Sequence, residues 1–297
     1  MRLYDSRTNH QASMERLYAY CGISRQGFYQ AKARLAKEQE MIKELLGQVR
    51  TYREKKDRRA GSRSLYYNLD IKSQFDIGIT KFEKIIALTG YSLMPLRKRV
   101  ITTTSCYSSR AYPNLTNGLI IRNINELVAG DLTYLTIGRL RRYLFCLTDV
   151  YSGRLVGHCQ EEQMRAEEAH CALMMWINLR GMPAIKDHCI HHTDGGSQYF
   201  SALYLNTLKL LNLKISVADN CLENGFAEQR NGLIKNHFLS TLDFQSESHF
   251  NKSFEKMVYF YNYERKQKRL GWRSPVEFEN QLSTMKVKPE WRLYDFR

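Results

Sequence analysis

The chain reads as an α/β protein: a mixed five-stranded sheet with flanking helices, preceded by an all-α region of helix-turn-helix type. Three observations predict this. Residues 12–55 carry helical periodicity throughout and no strand-like alternation. From residue 121 the texture changes, and strand and helix patterns follow in the order βββαβαβα, which folds as one α/β layer. The net charge of +15 divides along the same line. Residues 1–110 carry 22 Lys and Arg against 10 Asp and Glu, residues 111–250 carry 12 against 14, and residues 251–297 carry 11 against 6. Basic flanks around an acidic middle suit a polyanionic partner, because Lys and Arg contacts to phosphates release counterions. A solubilising surface is the plainer alternative.

In the N-terminal region, ASMERLYAY, CGIS and RQGFYQAKARLAKEQEMIKELLGQVRTYR outline helix, tight turn and helix, with Gly22 in the turn and Ser24 as N-cap. The second helix would present Arg25, Gln26, Tyr29 and Gln30 to a DNA groove. SRSLYYNLDI is a further short helix. Thr80-Lys81-Phe82-Glu83 has the form of a capping box opening another, which ends where Gly90 serves as C′ residue. Lys81 and Lys84 on that helix join the expected DNA-contacting set, as do Arg97, Lys98 and Arg99 of the basic run MPLRKRV. The Ser/Thr/Asn-rich stretch 101–120 reads as a linker. The expected division is therefore 1–60 and 61–100 as two helical DNA-binding regions, 101–120 as linker, 121–265 as core and 266–297 as a basic C-terminal tail.

In the core, ELVAGDLTYLTI, RRYLFCLTDVYS and GRLVGHCQ read as consecutive strands joined by short turns. RAEEAHCALMMWINLRG is an amphipathic helix ending at Gly181, KDHCIHHTD a buried strand, SALYLNTLKLLN a helix, LKISVAD a strand and NGFAEQRNGLIKNHFLSTL a helix. Three carboxylates stand at telling places. Asp131 lies within a half-buried strand, where an unpaired carboxylate is costly. Asp194 closes a strand at its carboxyl end, where α/β sites form, although an Asx-turn before Gly195-Gly196 would explain it as well. Glu228 lies on a helix with Lys235 seven residues on, so both project from one face about 10 Å apart. Brought together, three carboxylates repel one another unless cations neutralise them. Hard divalent ions with oxygen ligands do this, and a pair of them catalyses in-line attack on phosphodiesters. A zinc site built from Cys189, His191 and His192, with His170 and Cys171 near in sequence, is a rival, but no spacing completes four ligands. Tyr134, Tyr143 and above all Tyr199 could stack on unpaired bases, or pack in the core.

Composition bounds the rest. An apolar fraction of 43% in 297 residues is ample for a buried core. The seven scattered cysteines lack a repeated CxxC spacing and read as reduced thiols of a cytoplasmic protein. The N-terminus has no apolar targeting segment and no stretch approaches a membrane span.

The blocks AGDLTYL, YLFCLTDVYSGRLVGH, HHTDGGSQYFSALY, ENGFAEQRNGLIK and YNYERKQKRLGWRSPVEFE, in that order, resemble the retroviral-integrase-like DDE core of the insertion-sequence family-three transposases, second-frame product. The likeness extends upstream through CGISRQGFYQAK, AGSRSLYYNL and PNLTNG. It implies a ribonuclease-H-like fold and metal-binding, catalytic carboxylates at Asp131, Asp194 and Glu228, with two Mg²⁺ ions for which Mn²⁺ could substitute. It also implies that Lys235 contacts DNA near the cleaved end, that the substrates are double-stranded element ends and target DNA, and that a homo-oligomer holds paired ends. The activity implied is 3′-end nicking by water followed by strand transfer. Ala129 stands where the family usually has an aromatic residue and Gly195 where it usually has Arg. Glu223-Asn224 replaces the usual Asp-Asn, and 33 residues separate Asp194 from Glu228 where 35 are usual. Glu223 is thus an alternative third carboxylate, and a domesticated copy that only binds DNA as a regulator is the alternative function.

Overall fold

The computed structural model of the chain describes residues 14–94, 112–137, 140–218, 224–239 and 246–293. Its first part is helical. Helix α1 (Met14–Tyr20) turns through Gly22, which sits at φ +66°, into α2 (Arg25–Lys55). Ser24 caps α2 by accepting a hydrogen bond from Gly27 N at 3.0 Å. At 31 residues α2 is about 46 Å long. Only its C-terminal half buries side chains, namely Leu45, Val49 and Tyr52. Three short helices follow, α3 (Ser62–Asn68), α4 (Ile71–Phe75) and α5 (Ile79–Leu88). The expected capping box at Thr80–Glu83 does not form. Helix α5 begins two residues earlier, behind Gly78, and Glu83 instead pairs with Arg63 at 3.0 Å. The C-terminal signal is observed: Gly90 has φ +75°, and Tyr91 N donates to Ile86 O at 3.0 Å, the Schellman arrangement.

The core sheet contains β2 (Leu127–Ile137), β3 (Leu140–Asp149), β4 (Leu155–Glu161), β5 (Ile190–Thr193) and β6 (Lys214–Val217), following a two-residue strand β1 (Ile120–Ile121). Its order is β4-β3-β2-β5-β6, with β2, β3 and β4 antiparallel and β2, β5 and β6 parallel. This mixed five-stranded sheet with flanking helices is the ribonuclease-H-like arrangement. Period-two alternation assigns the faces. Val128, Phe145, Leu147 and Val156 pack against α6 (Ala166–Arg180) and α7 (Ala202–Leu210). Gly157 lets α6 approach, since a Cβ there would meet Ala172 O at 2.2 Å.

The opposite face carries Leu135, Leu144, Cys146 and Leu155. It is covered by α8 (Gly225–Leu233), which runs into a π-helical stretch over Ile234–Leu239, and by α9 (Glu247–Tyr259), which runs into another over Phe260–Glu264. The same cluster takes in Leu45 and Val49 of α2 and Phe82 of α5, so helical region and sheet share one core. Residues 266–293 are not an extended tail. They fold back as α10 (Pro275–Gln281) and β7 (Trp291–Arg292), which pairs with β1, and bury Phe278 and Leu282 against Leu127 and Ala129. Apolar residues inside this basic stretch explain the difference. No helix among the described residues is long and apolar enough to cross a membrane.

Candidate active site

Strand β2 is antiparallel to β3 and parallel to β5, so Asp131 lies in the middle of the sheet. It points to the α8 face with Ala129 and Leu135 and is only 9% exposed. Asn231 Nδ2 donates to Asp131 Oδ2 at 2.8 Å, pinning α8 to the strand. Asn224 repeats the link one element-end earlier, donating to Gly130 O at 3.1 Å. Burial, then the negative charges of Asp194 and Glu228, push the Asp131 carboxyl up to about 7, against the opposing Asn231 hydrogen bond.

Asp194 follows β5 directly. Its Oδ1 accepts a hydrogen bond from Gly196 N at 3.1 Å, the expected Asx-type turn, and burial raises its pKa above the usual carboxylate range. Gly195 takes φ +79°, and a Cβ there would stand 2.9 Å from Val217 Cγ1. The turn that presents Asp194 therefore favours glycine over arginine.

Glu228 sits in the first turn of α8 and is exposed. Partial burial and repulsion from Asp194 raise its pKa too. The three carboxylates thus sense one another across three elements. Among the described residues, however, no three His, Cys, Asp or Glu side chains stand in an arrangement that would hold a metal ion. The donor set fits a hard divalent cation in type and charge: carboxylate oxygens on one face whose mutual repulsion a cation would relieve. It is open in geometry.

The other expected contacts are scattered. Lys235 lies 4.6 Å over the ring of Tyr134, which is 62% exposed towards the far end of β2. Tyr143 is half-buried and pairs with Tyr134 across β2–β3. Tyr199 corrects the expectation. It is 4% exposed, packed on His191 and Tyr204 within the α6–α7 core, and cannot stack on a base. Its ring follows a short turn whose residues Gln198 and Tyr199 both point inward. Arg25, Gln26, Tyr29 and Gln30 are all exposed on the first turns of α2, far along the chain from the carboxylates. Lys81 pairs with Glu38 of α2 at 2.7 Å, while Lys84 is exposed. Arg97, Lys98, Arg99 and the alternative carboxylate Glu223 lie outside the described residues.

The zinc alternative fails on packing. Cys189 and His191 are buried on the α6–α7 side, where His191 Nε2 and Tyr204 Oη are 2.8 Å apart. His192 turns the other way to Ser216 Oγ at 2.8 Å. Burial, then His192, brings the His191 pKa down to about 3, so its ring is neutral.

Sequence reasoning named Asn224 only as part of the Glu223-Asn224 pair, without its contact, and missed Asn231. The available signal was spacing: Asn231 is three residues from Glu228 and shares its helical face.

Residues 122–220 match the integrase core domain family. The 31 kDa protein of insertion element IS600 from Shigella sonnei is 32% identical over 193 residues, covering 64% of this chain and 70% of that protein. The InsF transposase for insertion sequence IS3fB from Escherichia coli strain K12 is 32% identical over 164 residues, and the match spans 53% of this chain and about half, 54%, of InsF. Among solved structures, the HTLV-2 integrase catalytic core domain in complex with magnesium is similar with a TM-score of 0.42 at 18% identity, covering 53% of this chain and 97% of that one.

Proposed function

Because the chain belongs to the insertion-sequence family-three transposases with an integrase-like core, we propose that it binds the ends of its element and catalyses divalent-metal-dependent 3′-end nicking and strand transfer. The single observation that carries this reading is the electrostatic setting of Asp131: a carboxyl buried in mid-sheet and raised to about 7 beside two further carboxylates. Such a group is costly in a merely structural role.

In the proposed site Asp131, Asp194 and Glu228 would hold two Mg²⁺ ions, for which Mn²⁺ could substitute. Bound there, the ions would offset charge on the attacking and leaving oxygens of an in-line displacement. The protein's own part is positioning. Asn231 fixes Asp131 Oδ2, the Gly196 amide fixes Asp194 Oδ1, and the first turn of α8 presents Glu228. Lys235 neutralises a phosphate beside the cleaved bond, with Tyr134 beneath it. Two successive attacks, by water and then by the freed 3′-OH, need no covalent protein intermediate. The exposed first turn of α2 is the proposed reader of the terminal repeats, and a homo-oligomer would hold two ends together.

The test is strand transfer with labelled element ends and Mg²⁺ or Mn²⁺. Asp131→Asn and Asp194→Asn should each abolish it, and activity surviving either change rules the reading out. Glu228→Gln compared with Glu223→Gln assigns the third carboxylate. None of the departures at Ala129, Gly195 or Glu223 removes a carboxylate from the expected set, so the binding-only alternative gains no support.

A further inference from the structure

Beside α8 lies a groove of about 600 Å³ lined by cationic side chains. It runs between Ser64 of α3, the outer side of α8 and the loop 265–272. Arg230, Arg265, Lys266, Lys268 and Arg269 line it, and no carboxylate does so among the described residues. Arg265 is paired with Asp57 at 3.3 Å. The other four form no ion pair among the described residues.

The two arginines are held together rather than merely near. Arg230 and Arg269 lie 4.8 and 5.0 Å from the centre of one ring, Phe226. Arg230 is 8% exposed and donates from Nη1 to Gln267 Oε1 at 3.0 Å, while Arg269 donates from Nη2 to Val150 O at 2.7 Å. Arg230 Nε and Arg269 Nη1 have no hydrogen-bond partner among the described residues. Burial and repulsion from Arg230 bring the Arg269 pKa down to about 10, which expresses the same crowding. A buried and a half-buried guanidinium group with no ion-pair partner among the described residues are retained at a cost unless an anion joins them.

The loop is also rigid. Asn68 of α3 accepts from Lys266 N at 2.9 Å and donates to Lys266 O at 3.3 Å. Trp272, at φ +60°, stacks on Tyr67 of α3 at 3.9 Å and 15°. A cationic loop fixed to the helical region therefore faces the helix that carries Glu228. Arg230 is two residues from Glu228, about 200° round the helix, so the two side chains leave α8 in different directions.

We propose that this groove is a phosphodiester track, which holds the backbone of the DNA duplex between the helical region and the catalytic helix. The inference rests on the reading of DNA as substrate. Arg230 and Arg269 form its floor, and Lys266 and Lys268 the wall that slides along phosphates.

The test is the salt dependence of binding of the full chain to a duplex oligonucleotide of unrelated sequence, without divalent ions. Lys266→Gln with Lys268→Gln should lower the slope of log K against log salt by about 2, since each phosphate contact contributes about 0.9. Lys186→Gln with Lys209→Gln, which removes two exposed charges from the α6–α7 side, should leave the slope unchanged. Equal slopes for the groove pair and the wild type, or equal losses in the two pairs, overturn the track. Asp131→Asn should bind with the wild-type slope while losing cleavage. Cleavage that survives it sinks the catalytic reading and leaves the slope comparison to decide the groove.

Discussion

At the scale of single residues, the Asp131–Asn231 pair shows how the geometry of the proposed site is held. Burial, and then repulsion from two other carboxylates, pushes the Asp131 carboxyl towards the protonated form, and one amide fixes the orientation of its Oδ2. Asn231→Ala should leave the fold intact, as far-ultraviolet circular dichroism would verify, and slow strand transfer on the order of 10–100-fold, the loss typical of a group orienting a metal ligand. A rate within twofold of wild type would show that Asn231 only packs. Gly195 makes the complementary point about backbone. Its φ of +79° and the 2.9 Å approach to Val217 mean that Gly195→Arg, although it restores the usual family residue, should cost about 1–3 kcal/mol in urea denaturation.

At the scale of elements, the docking of α10 illustrates buried charge. Glu279 lies between Arg180 and Arg154 and also accepts from Ser152 Oγ at 2.7 Å. Burial alone would raise its pKa, but the hydrogen bonds and charge of Arg180, then Arg154, outweigh it and hold the carboxyl below its ordinary value. A carboxyl depressed on folding stabilises above its unfolded pKa of about 4.3, and that contribution is lost as pH falls through the lower folded value. Glu279→Gln should therefore cost about 3–5 kcal/mol at pH 7, because it leaves Arg154 without a carboxylate among the described residues and Arg180 with only Asp149, 3.7 Å away. It should also lose less stability than wild type between pH 5 and pH 3 (Tm followed by calorimetry). Parallel curves for the two proteins would show that Glu279 does not drive the acid response.

At the scale of the whole molecule, helical region and sheet are not independent beads. Lys56 pairs with Glu264 at 2.6 Å, buried Asp57 with His237 at 3.1 Å and Arg265 at 3.3 Å, and Asn68 brackets Lys266. Beneath these contacts Leu45, Val49 and Phe82 complete the core over Phe254 and Tyr261. The full chain should unfold in one transition. A fragment beginning at residue 112 should lose that cover, bind hydrophobic dye and aggregate, whereas a monomeric fragment with an undiminished Tm would mean that the shared core contributes little.

Much of this was legible in the residues. The alternation around Asp131, the run into Asp194-Gly195 and the helical segment holding Glu228 and Lys235 are local patterns, and local patterns record backbone period and turn chemistry. They determined the element order, the class of fold and the candidate carboxylates. Only tertiary structure decided that Tyr199 is core, that Asn231 grips Asp131 across 100 positions of sequence, and that the basic C-terminal stretch folds back onto β1. It also decided that Arg230 and Arg269 share one ring, that of Phe226 on α8. Each of these depends on which face of an element meets which neighbour, and periodicity along a chain does not encode the partner it will meet.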